Sequence, residues 1–192
     1  MAKIIEALLE EHQNIEKLLS VLEHELDVFD HNRRPDYEIL QSIVSYFEDY
    51  PQSCHHPKEE MIYRRLSERD PAAAAAYGDV VQEHDSEAQG LRKFADAVNA
   101  VLADQEILRE NFHAAVHQFI AGQREHLRKE ETLLFPAALR ALQAKDWADI
   151  DARMSDRKDP LFDGDVAEKF HALERTILRW EQEAEQARAG TG

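Results

Sequence analysis

The chain has few of the residues that cross-link a fold or interrupt its helices. Its 192 residues include one cysteine, Cys54, with six glycines and six prolines. A single cysteine excludes a disulfide framework and favours a reducing compartment. Long stretches without glycine or proline favour long helices over many short strands. At this length we expect one domain with a substantial hydrophobic core.

Positive charge and long apolar runs are also scarce. The sequence holds 23 lysines and arginines against 39 aspartates and glutamates, so its formal net charge is −16. Such a surface repels phosphate backbones and anionic membranes, so we expect neither nucleic acid nor a membrane as a partner. No segment approaches the roughly 18 apolar residues of a membrane span, and the N-terminus becomes charged too early for a signal peptide. These features predict a soluble, cytoplasmic protein.

Apolar residues recur at spacings of three and four along most of the chain, which is typical of helices with one buried face. Asp36 is placed to cap the second helix, and Pro51 should bend it by removing a backbone donor. Pro136 is expected to bend the fourth helix. The alanine-rich connector over residues 69–79 is compatible with a short helix. The four long helices are predicted over residues 3–29, 37–68, 80–102 and 106–143.

The C-terminal segment, residues 144–192, has no copy elsewhere in the chain. Its later part carries another helical stripe of apolar residues from Val166 to Trp180, and its last residues, 187–192, are expected to fray. We therefore predict an all-α fold: an up-down-up-down four-helix bundle over residues 1–143, with an additional C-terminal helical extension over 144–192. The extension should pack on the bundle or on a partner subunit, so a homo-oligomer is left open.

An internal repeat relates the two halves of the predicted bundle. The first helix carries "LLEEHQNI" and the third "VVQEHDSE", while the second carries "HHPKEEMIY" and the fourth "HLRKEETLLF". His12 and His55 are 43 residues apart, and His84 and His126 are 42 apart. Each half is thus a helix with one histidine followed by a helix with His-x-x-x-Glu-Glu. This agreement is far more specific than a lone histidine–glutamate pair.

The helical register decides which residues of "HHPKEE" face the core. At about 100° per residue, His55 and Glu59 share a face with the apolar stripe, whereas His56 and Glu60 lie on the opposite flank and should face solvent. On the fourth helix, His126 and Glu130 are bracketed in the same way. The apolar stripe predicted there consists of Phe112, Phe119, Leu133 and Ala137, with Gln123 among them.

Such a bundle would bury four imidazoles and two carboxylates. A buried polar group without a partner costs about 1–3 kcal/mol, and an unpaired carboxylate costs more. Metal ions remove this cost. Six nitrogen and oxygen ligands exceed the needs of one tetrahedral zinc and suit iron or manganese. Two octahedral ions, bridged by two carboxylates and by an oxide, hydroxide or water, would each keep an open position for a small ligand.

At these motifs the sequence resembles the hemerythrin-like, HHE cation-binding family of four-helix-bundle di-iron proteins. The resemblance rests on "EEH" ending at His12, "HHPKEE" from His55, "QEH" ending at His84 and "HLRKEETLLFP" from His126, and it covers residues 1–143. It implies two iron ions bridged by the two glutamates. The implied iron ligands are His12, His55, Glu59, His84, His126 and Glu130.

One departure from the family separates this chain from the invertebrate oxygen carriers. Those members have a fifth histidine on the third helix, one turn before the position of His84, where this sequence has Val80. Reversible oxygen carriage is therefore not implied. Other members of the family are associated with oxygen or nitric oxide sensing, iron handling and iron–sulfur centre repair.

Several other residues near the motifs can be interpreted either as structural residues or as part of the site. Glu16 is expected to be solvated or to support the site from outside, and Tyr63 to pack in the core, with a hydrogen bond or extra ligation as its alternative. His113 and His117 are interpreted as a surface pair rather than a zinc site. Lys58 and Lys129 should extend their amino groups into water. Cys54 is interpreted as a small structural residue.

Three functions remain in competition. The leading hypothesis is a non-haem di-iron protein that binds oxygen or nitric oxide at a carboxylate-bridged centre, in sensing, storage or iron handling. The first alternative is a di-iron enzyme, either an oxidase or peroxidase or an iron–sulfur repair factor. The second is a structural bundle with a stabilising metal. Manganese or zinc in place of iron is left open.

Overall fold

The computed structural model describes residues 2–153, 159–162 and 166–189 of the chain. These residues contain helices and connecting segments and no strand, which confirms the all-α class for them. None of the described helices combines the length and the apolar character needed to cross a membrane. The α-helices are α1 Lys3–Asp30, α2 Tyr37–Tyr50, α3 His56–Arg69, α4 Pro71–Tyr77, α5 Val80–Leu102, α6 Arg109–Lys129, α7 Phe135–Ala141, α8 Ala144–Asp151 and α9 His171–Ala189.

Aspartate caps fix the starts of three helices. The side chain of Asp36 accepts hydrogen bonds from the backbone amides of Glu38 and Ile39, which confirms its predicted role. Asp70 caps α4 and Asp79 caps α5 in the same way. Each carboxylate satisfies amides that have no partner inside the helix. The connector between the second and third long helices therefore contains the short helix that its alanines suggested.

The second and fourth predicted helices are each interrupted by a π-helical turn. The first turn, Pro51–His55, joins α2 to α3, and the second, Glu130–Leu134, joins α6 to α7. Pro51 opens the first turn and Pro136 follows shortly after the second. Since proline has no N–H, it cannot make the i→i−4 bond of a regular helix, and a wider turn absorbs the defect. The bends predicted at Pro51 and Pro136 are therefore π turns that change the helical register.

A polar layer lies between two apolar clusters of the core. The larger cluster includes Phe119, whose ring contacts those of Phe47 and Phe94, and it also buries Cys54. The smaller cluster lies at the other end of the helices and is formed by side chains such as Ile5, Leu66, Leu134 and Phe135. Along α1 the order is Leu8, His12, Ile15, so the chain passes from one cluster to the other through the polar layer.

The C-terminal segment packs on the helices of its own chain. Helix α9 contacts α1 and α2, and α8 contacts α1 and α3. Phe170, Leu173 and Ile177 belong to the larger apolar cluster, and the hydroxyl of Tyr46 donates to Asp159 at 2.6 Å. Residues 163–165 and 190–192, which include part of the predicted break and of the predicted frayed end, lie outside the described residues. The division of the chain at residue 143 stays a prediction.

Candidate metal centre

The structure brings all six predicted site residues into the polar layer. α1 supplies His12, the first π turn His55, α3 Glu59 and α5 His84. The remaining two come from α6 and the second π turn. Each is at most 7% exposed, and both glutamates are fully buried. The six positions are His12, His55, Glu59, His84, His126 and Glu130.

These side chains form two overlapping groups that could each hold a metal ion. In each group the potential ligand atoms lie within 4.8 Å of one another. Glu59 belongs to both: its Oε1 is 2.8 Å from His55 Nε2, and its Oε2 is 3.2 Å from His84 Nε2. One carboxylate thus faces both groups with different oxygens. The first group is His12, His55, Glu59 and Glu130, and the second is His56, Glu59, His84 and His126.

Glu130 also lies between the two halves. Its Oε2 is 3.4 Å from His12 Nε2 and 3.5 Å from His126 Nε2, and these histidines come from different halves of the sequence repeat. The position of Glu130 therefore resembles that of Glu59, as the repeat between the two halves leads one to expect. Glu130 belongs to the first group only, but its Oε2 faces one histidine of each half, so it is suited, like Glu59, to bridging two cations.

The polar atoms that converge here lie as close as 2.8 Å to one another, but none of these contacts has the geometry of a hydrogen bond, so the atoms have no hydrogen-bond partner among the described residues. Buried polar groups in proteins are rarely left in this state, because each costs about 1–3 kcal/mol. A donor set of imidazole nitrogens and carboxylate oxygens suits a first-row transition metal, and cations would satisfy the whole set at once. The residues therefore fit a metal centre. The unpartnered atoms include Nε2 of His12, His55, His84 and His126 and both carboxylate oxygens of Glu59 and Glu130.

His56 is the first correction to the sequence prediction. It was expected to face solvent, but it is 7% exposed and belongs to the second group of potential ligands. Its ring stacks on that of His84, with centroids 4.0 Å apart. The prediction failed because it continued the register of α2, at about 100° per residue, through the π turn, whose extra residue shifts that register. Within α3, His56 is three residues before Glu59 and shares its face. Glu60 keeps a side chain that is 37% exposed.

The second π turn causes a matching error at Leu133. The continuous wheel placed Leu133 in the buried stripe, but it is 45% exposed, while Leu134 is fully buried. The extra residue of the turn Glu130–Leu134 moves the inward position by one. Beyond the turn, Ala137 is buried as predicted.

A carboxylate outside the six predicted residues holds His55 by a hydrogen bond, and a second one faces His126 at a longer distance. Glu11 Oε2 is 2.7 Å from His55 Nδ1, and Glu83 Oε2 is 3.6 Å from His126 Nδ1. Each of these glutamates precedes the histidine of its own helix, so the first helix of each half supports the histidine of the second. A carboxylate on Nδ1 directs Nε2 towards a metal and makes it a better ligand.

The predicted solvent-directed lysines instead pair with these carboxylates. Lys58, which is 5% exposed, donates to Glu11, and Lys129 donates to Glu83. The prediction was wrong because it considered only partners on the same helix, whereas each lysine reaches across to another. The repeated "KEE" and the acidic residue before each histidine were the signals that could have revealed this arrangement.

The sequence comparison decides the family. Residues 3–138 match the hemerythrin HHE cation binding domain. The chain belongs to the hemerythrin HHE cation-binding family. No curated protein and no solved structure matches the chain. Membership implies that this hemerythrin-like chain binds metal cations, and the clustered histidines and glutamates are suited to hold them.

In the hemerythrin-like centre, His55 and Glu130 hold protons that a metal cation would displace. Burial alone would lower the pKa of His55, but the carboxylates of Glu59 and Glu11 raise it to about 10. Burial raises the pKa of Glu130 well above its usual range, and the neighbouring Glu59 raises it further. Burial also acts to raise the pKa of Glu59, but His55, His12 and His84 hold it well below its usual range. Metal binding should therefore release protons.

One side of the hemerythrin-like centre opens to a pocket of about 520 Å³ between α5 and α6. His126, Glu83 and Glu87 reach its wall. Glu87 Oε2 is 3.2 Å from His56 Nε2, and Glu87 Oε1 accepts a hydrogen bond from Gln123 at 3.0 Å. Since neither His56 nor Glu87 matches a polar residue in the other half, the two halves of the centre differ on this side.

The remaining candidates lie away from the centre. Glu16 pairs with Arg124 on the surface, and the hydroxyl of Tyr63 donates to the carbonyl of Gly78 at 2.6 Å. His113 and His117 stack on each other with their centroids 5.9 Å apart and belong to neither group of potential ligands, as the surface interpretation predicted. The phenol that sequence reasoning missed is Tyr77, which is buried and has the amino group of Lys129 4.6 Å from its ring centroid.

Proposed function

We propose that the protein is a non-haem di-iron protein that binds oxygen or nitric oxide at this centre, in sensing, storage or iron handling. Under this proposal one ion is held by His12 and His55 and the other by His84 and His126. Glu59 and Glu130 bridge the two ions. The observation that carries the proposal is the convergence of unpartnered, buried ligand atoms on two positions that share Glu59.

We further propose His56 as a ligand on the side of His84 and His126. Its Nδ1 is buried without a hydrogen-bond partner among the described residues, while Glu87 faces its Nε2. The ion on this side would then have three histidines and the other ion two. The ion with two histidines would have fewer protein ligands and so keep an exchangeable coordination position. Iron at this position would act as a Lewis acid towards a small ligand.

The architecture that accompanies this proposal is an up-down-up-down bundle over residues 1–143 with an added extension over 144–192. It is supported by the contacts of α1 with α6, α2 with α5 and α5 with α6, which place the long helical segments side by side. In such a bundle, side chains from facing helices project into a shared interior, which is where a di-metal centre forms.

Metal analysis of His55→Ala tests the proposal. The metal-free protein is loaded with ferrous iron without air, desalted and assayed for iron, and its visible spectrum is recorded before and after exposure to air. The wild type should retain about two irons per chain and develop a charge-transfer band. His55→Ala should retain at most about one and lose most of the band, because it removes one imidazole from the first ion.

His113→Ala is the matched control, since it removes an imidazole from the surface pair. It should keep the iron content and the spectrum of the wild type. A loaded wild type that retains less than one iron per chain contradicts the proposed function.

A further inference from the structure

Tyr77 is a buried phenol whose position is fixed by the chain on both sides. It is the last residue of α4, and Gly78 follows with a φ of 114°, a conformation that other residues rarely adopt. The side chain is 3% exposed and lies in the smaller apolar cluster with Val80, Leu134 and Phe135. Its ring is therefore held in place, and its hydroxyl has little freedom to reach water.

The hydroxyl of Tyr77 differs from those of three other tyrosines. Tyr46 donates to Asp159, Tyr50 to Glu11 and Tyr63 to the carbonyl of Gly78. The Tyr77 hydroxyl is buried and has no hydrogen-bond partner among the described residues. Because a buried tyrosine hydroxyl usually finds a partner, this group is suited to one that arrives from outside the chain.

Contacts through neighbouring residues place Tyr77 near the centre. The amino group of Lys129 lies 4.6 Å from the centroid of the Tyr77 ring, and the same group pairs with Glu83 beside His126. Phe135, in the same apolar cluster, stacks on His12 with their centroids 5.4 Å apart. The helix that ends at Tyr77 also contacts the turn that begins at Glu130, which brings the phenol close to that side of the centre.

The charge around the phenol keeps its proton in place. Burial raises the pKa of Tyr77 well above its ordinary value, and the carboxylates of Glu130 and Glu83 raise it further. The neutral hydroxyl is a hydrogen-bond donor at physiological pH, so the partner that suits it is an acceptor.

We propose that Tyr77 donates a hydrogen bond to the small anion or diatomic ligand that enters the centre. This inference rests on the proposed function and deepens it. Hydrogen bonds to charged acceptors are about twice as strong as those between neutral groups. Tyr77 therefore favours ligands that carry negative charge on an atom remote from the metal, and it acts as a specificity-determining residue of the site.

Tyr77→Phe tests the proposal, because it removes one oxygen atom and keeps the ring. In the metal-free protein the change removes an unpartnered buried hydroxyl, so the midpoint of thermal unfolding should stay the same or rise. In the iron-loaded, oxidised protein the affinity for azide, measured by optical titration, should fall by roughly 10–100-fold, the effect of losing a hydrogen bond to a charged group. The iron content should not change.

Tyr63→Phe is the matched control. The rings of Tyr63 and Tyr77 have centroids 6.0 Å apart, but the Tyr63 hydroxyl already has a partner in Gly78. Removing it should lower the midpoint of thermal unfolding of the metal-free protein and leave the azide affinity unchanged. The two variants are therefore expected to show opposite patterns.

Each remaining outcome separates this proposal from the function on which it rests. If the wild type retains no iron, both the proposed function and the role of Tyr77 are overturned. A wild type that retains iron, together with an azide affinity that Tyr77→Phe does not change, overturns the role of Tyr77 alone. A loss of iron in Tyr77→Phe would show direct ligation by the phenol, which also overturns it.

Discussion

Glu11 is a buried carboxylate with three side-chain partners. It accepts hydrogen bonds from Tyr50 and Lys58, and its second oxygen lies 2.7 Å from His55 Nδ1. Burial would raise the pKa of Glu11, but His55 and Lys58 lower it below its ordinary value. The carboxylate therefore stays charged and holds His55 in the tautomer and orientation that present Nε2 to the centre.

Replacing Glu11 with glutamine should weaken metal binding without removing a ligand. The expected loss of affinity is about 10–100-fold, typical for the loss of a carboxylate that supports a metal-ligating histidine. It can be measured by competition with a chelator of known affinity. Glu10→Gln is the control, because Glu10 is the exposed neighbour of Glu11. Equal affinities for both variants would show that Glu11 does not act through His55.

At the scale of the helices, regular patterns were predictable and their interruptions were not. The spacing of apolar residues predicted the third long helix over the residues of α5, and the repeat selected His12, His55, His84 and His126 for the polar layer. Both depend on local periodicity, which the sequence records directly. A wheel of constant angle cannot represent a π turn, and it therefore misplaced His56.

Contacts between helices were the second feature that periodicity could not supply. The pairing of Lys58 with Glu11 joins α3 to α1, and that of Lys129 with Glu83 joins α6 to α5. Which side chains meet across a bundle depends on the axial offset of the helices, and the pattern of a single helix does not contain it.

The register after the second π turn can be tested with two leucines. Leu134→Ala should lower the free energy of unfolding by about 2–5 kcal/mol, because it opens a cavity in the smaller apolar cluster. Leu133→Ala, at an exposed position, should change it by about 0.5 kcal/mol or less. Urea denaturation of the metal-free variants measures both. The reverse order of effects would indicate a continuous α-helix through residues 130–134.

On the scale of the whole molecule, an ion pair links α8 to the rest of the chain. The guanidinium of Arg69, at the end of α3, donates two hydrogen bonds of 2.8 Å to Asp146. Asp146 also accepts from the backbone amide of Gln143 and so caps α8. Arg69, with a smaller contribution from Gln143, lowers the pKa of Asp146 from 3.8 to about 2.

This pKa shift makes the contribution of Asp146 dependent on pH. A carboxyl whose pKa is depressed in the folded state stabilises the fold above its ordinary value of 3.8 and loses this effect as the pH falls towards about 2. Asp146→Asn should therefore lower the urea midpoint at neutral pH, and its difference from the wild type should shrink between about pH 4 and pH 2.

Asp149→Asn provides the control for this comparison. Asp149 lies on the same helix but has a side chain that is 60% exposed and only a 3.6 Å contact with Arg65. Its replacement should have little effect at any pH. A constant difference between wild type and Asp146→Asn across the acid range would assign the effect to the cap rather than to the charge.

Because Glu59 and Glu130 are fully buried, the stability of the folded protein depends on the supply of metal. Their partners come from separate segments along the chain, so the ligand set exists only when those segments have assembled, and unfolding disperses it. Under the proposed function, each decade of free metal concentration adds to folding stability in the same way as any ligand that binds only the native state. A chelating agent would then act on this protein as a denaturant, and a shortage of iron would lower its midpoint of thermal unfolding.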